Sequence, residues 1–129
     1  MVLVLAVLGT SCNKNKETTK KMVGTWNLSH VSYRDTLTQS WTDSLADIGD
    51  ISIKLNSDGT YTTYNNGVEE MTGRWEYYDE YVHFHGFSTN LTFKVDNCTK
   101  SSMEWFTRNE SWHETHLTYW REELWTWTK

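Results

Sequence analysis

The chain has 129 residues, room for one domain, with eight Trp, a 15% aromatic fraction and a mean hydropathy of -0.69. So many rings on a polar background suit a half-buried sheet and exclude a disordered chain. The net charge of -5 is unevenly spread: residues 13–21 hold four of the twelve Lys/Arg and one of the seventeen Asp/Glu, so a basic segment precedes an acidic domain, and clustered phosphate contacts to nucleic acid are excluded.

The first element is Val2–Leu8, seven apolar residues in a row. It is far short of the ~20 residues that span a bilayer, but it has the length of an export signal's apolar region. Gly9, Thr10 and Ser11 follow, then Cys12. This arrangement resembles a bacterial lipobox, in which a cysteine after small residues becomes the acylated N-terminus, and the resemblance is strongest to lipoproteins of the Bacteroidetes type. Two features depart from that pattern. Gly9 stands where a Leu is usual, with Leu8 one residue further back, and no basic stretch precedes the run, which allows a start upstream of Met1. The competing reading is a plain signal peptide with an unmodified Cys12. The lysine-rich segment that follows at once favours the lipoprotein. The expected organisation is a signal over residues 1–11, an acylated (palmitate-bearing) Cys12 with a polar tether over 12–21, and a domain with a C-terminal tail over 22–129. Such a protein is held by its lipid in the cell envelope, at the outer membrane, facing periplasm or cell surface.

From Val23 the chain alternates at period two. Strands are predicted over residues 23–33, 50–56, 60–65, 69–78, 81–85, 90–95, 102–107 and 112–121. Ser57-Asp58-Gly59 and Asn66-Gly67 read as hairpin turns, because Gly accepts the positive φ that such turns require. Arg34–Gly49 is the one long connection, and the chain contains no Pro to interrupt a strand. Eight short strands joined by tight turns predict an all-β fold, an eight-stranded antiparallel up-and-down barrel, whose closure removes the exposed edges of a flat sheet.

Gly24-Thr25-Trp26 on the first strand resembles the Gly-x-Trp motif of lipocalins. Ile51–Tyr61, Gly73-Arg74-Trp75 and Tyr119-Trp120-Arg121 are similar to small lipocalin-like domains of bacterial lipoproteins, in the same order and over about Met22 to Arg121. The resemblance implies a small calycin-like barrel closed at one end, with Arg34–Gly49 in the place of the lid loop. It also implies that Arg121, on the last strand, packs over Trp26 beside Gly24 and helps close the barrel, a good cation–π geometry.

Alternation assigns an interior. With Trp26 inward, Leu28 and His30 follow, as do Ile51/Ile53/Leu55, Tyr61/Thr63, Met71/Trp75/Tyr77, Val82/Phe84, Leu91/Phe93/Val95, Met103/Trp105 and Leu117/Tyr119. This interior is aromatic and almost uncharged, the composition of a pocket for a small hydrophobic or amphipathic ligand. His30, Tyr61, Thr63, Trp75, Tyr77, Phe84, Phe93, Trp105 and Tyr119 are its candidate ligand-binding residues. A core filled by its own rings is the alternative. On that alternative the outward rings Trp112, Trp120, Phe106, Tyr64 and Tyr78, with Trp125 and Trp127 in the tail, serve a non-enzymatic interaction module that binds a protein or glycan.

Other chemistries find little support. No cofactor is expected. His83 and His85 alternate with apolar residues and are expected on the outer face, while His113 and His116 fall on opposite faces of a strand, so no metal site is expected. Cys98 is expected to be structural, with no base beside it to activate a thiol. The acidic pairs Glu69-Glu70 and Glu122-Glu123 are expected to be solvated strand-end charges. No phosphate loop, nucleophile elbow or acid–base pair points to an enzyme.

Overall fold

The structure is a computed structural model and describes residues 15–43, 50–86, 90–112 and 118–129, without the side chains of residues 111, 112 and 118. The signal segment, Cys12, His113 and His116 lie outside the described residues. From residue 15 the segment read as a tether is a helix, α1, over residues 15–22, and it runs directly into the first strand.

The strands are β1 (Gly24–Asp35), β2 (Thr42–Asp43), β3 (Ile51–Leu55), β4 (Thr60–Asn65), β5 (Val68–Tyr78), β6 (Tyr81–His85), β7 (Leu91–Asp96), β8 (Ser102–Trp112) and β9 (Thr118–Thr128). Each of β3 to β8 pairs antiparallel with the next, and β1 pairs with both β3 and β9, so eight strands close into the expected barrel. β1 is the seam. Its first half, Gly24–Asn27, pairs with β3, and its second half, Asn27–Asp35, pairs with β9. β2 lies inside the connection expected as a lid and adds two residues to the edge of β1, opposite Ser32 and Tyr33.

The turns follow local chemistry. Asn66 and Gly67 both have positive φ, 52° and 79°, the two-residue geometry whose twist matches the strands it joins. Asp79 and Glu80 take the same signs without a glycine. β3 to β7 lie within a residue or so of their predicted ranges. The last two strands do not. Residues 108–111, which separate the predicted strands over 102–107 and 112–121, instead continue β8, and the register runs unbroken from Ser102↔Thr128 to Trp112↔Thr118. The expected tail is therefore the second half of β9.

The core fills one end of the barrel. Met22, Trp26, Val82 and Met103 are wholly inaccessible to solvent, with Leu55, Trp75, Trp105 and Trp127 nearly so. The Trp26 indole N–H donates to the Met22 carbonyl at 2.7 Å, tying the last turn of α1 across that end. Burying one indole removes about 150–250 Å2 from water, on the order of 4–6 kcal/mol, so these tryptophans dominate the folding energy.

Candidate functional site

The opposite half of the barrel is not filled. A cavity of ≈ 230 Å3 opens there. Its wall is built strand by strand: Ile51 and Ile53 from β3, Tyr61 and Thr63 from β4, Glu70 and Met71 from β5, Phe84 from β6, Leu91 and Phe93 from β7, Trp105 from β8, and Trp125 and Trp127 from β9. The volume exceeds the ~150 Å3 of an apolar cavity that takes benzene and lies below the ~300 Å3 at which drug-sized pockets begin.

The rings form a continuous belt. Tyr61 meets Phe84 edge-on with centroids 5.0 Å apart, and Phe84 leads to Trp105 at 5.4 Å. Trp105 stacks on Phe93 at 5.2 Å and touches Trp127 at 4.8 Å, while Trp125 lies 5.7 Å from Phe93. Each ring is held by its neighbours, so the belt is preformed. Tyr61 is positioned by a close approach: a Cβ on Gly73 would lie 2.8 Å from its ring and 2.5 Å from the His85 carbonyl oxygen. Burial pushes the Tyr61 hydroxyl above its ordinary pKa, so it remains a neutral polar group among the rings. Leu91 and Met71 are exposed on their outer sides and mark the mouth.

Of the candidate ligand-binding residues, the structure brings Tyr61, Thr63, Phe84, Phe93 and Trp105 to this wall. The other four lie elsewhere. Trp75 belongs to the closed end, where its indole N–H donates to the Asn56 carbonyl at 2.9 Å. Tyr77 packs on the core toward Thr18 of α1, and burial raises its pKa. Tyr119 stands toward the open end of β9, its hydroxyl donating to Asp35 at 3.1 Å.

His30 is a correction. It does not point inward: its Nε2 is 2.7 Å from Asp43 of β2, on the outer face. The cause is a bulge at Ser29, where the register slips between Leu28 and His30. One extra residue exchanges the faces of everything beyond it, so Val31 takes the buried position.

Arg121 is a second correction. Its guanidinium lies 4.6 Å from the Tyr33 ring and pairs with Glu123, far from Trp26. The cation over Trp26 is Lys129, with Nζ 4.6 Å from the ring centre and donating to the carbonyls of Lys21 and Val23. β9 runs on to Thr128, so the strand end that meets Trp26 comes seven residues after Arg121.

The acidic pairs differ from expectation too. Glu122 sits mid-strand on the outer face, 5% exposed, between Arg34 at 3.3 Å and Arg108 at 3.4 Å. Trp120 and Trp41 cover these guanidiniums, Arg108 lying 5.0 Å from the Trp120 ring and Arg34 4.8 Å from the Trp41 ring. Glu70 lies in a second bulge, between the pairs Thr63↔Met71 and Tyr64↔Glu69, and this turns it onto the cavity wall. No period-two pattern shows such a residue. Trp125 and Trp127 were legible: they alternate with Leu124 and Thr126 as a strand should.

Burial raises the Cys98 thiol pKa, with Lys21 and Lys129 pulling it partly back, so the sulfur is a packed neutral group at neutral pH. His83 stacks on Tyr78 with centroids 4.0 Å apart, and His85 lies 3.2 Å from Glu76. Among the described residues no three His, Cys, Asp or Glu converge as metal ligands. The chain matches no protein-family model and no curated protein.

Proposed function

We propose that the protein is a membrane-anchored, lipocalin-like binding protein that takes a small hydrophobic or amphipathic ligand into its barrel. The cavity carries this reading: a preformed aromatic chamber, closed at one end by α1 and the tryptophan core and open at the other. Apolar surface held open to water is costly unless something covers it, and a concave aromatic wall with few polar groups is what small-molecule sites share. The anchor reading rests on the apolar run and Cys12, and a basic closed end supports it. Lys20 and Lys21 of α1 gather there with Lys100, Lys129 and one carboxylate, Glu17. Lysines flanking a lipid anchor add attraction to an anionic membrane surface. The rival reading, partner binding through outer rings, is weaker because Trp120 and Tyr78 are engaged by their own Arg108 and His83.

The neutral dye N-phenyl-1-naphthylamine tests the chamber. It should bind with rising fluorescence, and Thr63→Trp should abolish binding while leaving the unfolding midpoint nearly unchanged, since the new ring enters empty space. In a packed interior the same change would cost about 1–3 kcal/mol. Lost stability without dye binding to the wild type refutes the ligand carrier.

A further inference from the structure

Among the described residues that line the cavity, Glu70 alone is charged and none is basic. The β5 bulge places it there, and Asn65 holds its Oε1 at 3.1 Å, fixing a carboxylate at the edge of an aromatic belt. Beyond Trp125 the same face of β9 continues this field. The Trp125 indole N–H donates to Glu123 at 2.9 Å, and Asp35 of β1 lies opposite Arg121. Arg121 is the cation of this group, and it is already held by Glu123 at 3.1 Å and by the Tyr33 ring. An incoming ligand therefore meets carboxylates at the mouth and then ring faces, which are negative.

We propose that the ligand is an organic cation: a small apolar or aromatic body seated among Phe84, Phe93 and Trp105, with an ammonium group at the mouth facing Glu70. This rests on reading the cavity as a ligand site. Aromatic faces attract ammonium groups, most strongly quaternary ones, and a nearby carboxylate adds to that attraction. An anionic amphiphile of the same shape finds no counter-charge among the described lining residues and is repelled by Glu70. The cavity volume of ≈ 230 Å3 limits the buried body to a few rings or to a short alkyl chain.

Three amphiphiles with one tail separate the possibilities: octyltrimethylammonium, n-octanol and octyl sulfate, each titrated into the full chain below its micelle concentration and followed by tryptophan fluorescence. Octyltrimethylammonium should bind about tenfold or more tighter than octyl sulfate, with octanol between them. Raising the salt should narrow that gap. Glu70→Gln should reduce it to about threefold or less. Equal binding of all three, tighter binding of octyl sulfate, or a gap that Glu70→Gln leaves intact overturns the cation preference while octanol binding keeps the chamber. Failure of all three to bind, octanol included, overturns the chamber reading and this proposal with it.

Discussion

Trp26 shows how one ring organises the closed end. Its N–H is spent on the Met22 carbonyl, its face carries the Lys129 ammonium, and Gly24 leaves room for that lysine, whose Cε would lie 2.8 Å from any Cβ there. Gly24, Trp26 and Lys129 thus form the lock that the lipocalin resemblance implied for Gly24, Trp26 and Arg121. Trp26→Ala should cost about 3–5 kcal/mol in urea unfolding, as a large-to-small change in a packed core. Lys129→Ala should cost about 0.5–1 kcal/mol, and the two losses should be non-additive. Trp26 and Arg121 should show no coupling. A cycle that couples Trp26 to Arg121 and not to Lys129 would contradict the observed strand end.

At the scale of elements, two bulges and one small strand decide what faces where. β2 is held to β1 by two backbone pairs and by Asp43, which accepts from Ser32 at 3.0 Å and meets His30 at 2.7 Å. The His30 hydrogen bond, then that of Ser32, lowers the Asp43 pKa. Asp35 is lowered too, first by the backbone amide of Thr38. A carboxylate whose folded pKa is depressed stabilises the fold above its unfolded value, and that contribution disappears as pH falls through the folded value. The segment from Thr36 to Asp43 should therefore loosen only below about pH 4. Amide NMR shifts of Thr42 and Asp43 should move together in that acid range, and Asp43→Ala should show the loosened shifts at neutral pH. Shifts that stay constant down to about pH 2 would remove Asp43 as the clasp.

Across the whole molecule, charge and openness point in opposite directions. Lysines ring the closed end, and the carboxylates Glu70, Glu123 and Asp35 border the open one. If the anchor proposed above precedes α1 at Cys12, the cavity mouth would face away from the membrane. Cys12→Ala in the full chain, expressed with its own N-terminal segment, should move the protein from the membrane fraction to the soluble fraction, because acyl chains contribute about 0.8 kcal/mol per buried CH2. Retention of the mutant in membranes would exclude acylation at Cys12 as the anchor.

By itself the sequence determined the fold class, the order of the strands and most of the inward rings. Period-two alternation and Asn-Gly or Asp-Gly turns are local signals, and a barrel of short hairpins is assembled from local steps. Five of the cavity's residues, Tyr61, Thr63, Phe84, Phe93 and Trp105, could be named on that basis. Only the tertiary structure decided the rest. A bulge is invisible to alternation because it is the insertion that breaks it, so His30 left the interior and Glu70 joined the wall. The polar run Arg108–Ser111 has turn chemistry, yet it stays extended because β9 pairs along its whole length. That long-range register also carried Lys129 to Trp26 and placed Glu122 between two arginines, since contacts across a barrel depend on where strands end rather than on spacing along the chain.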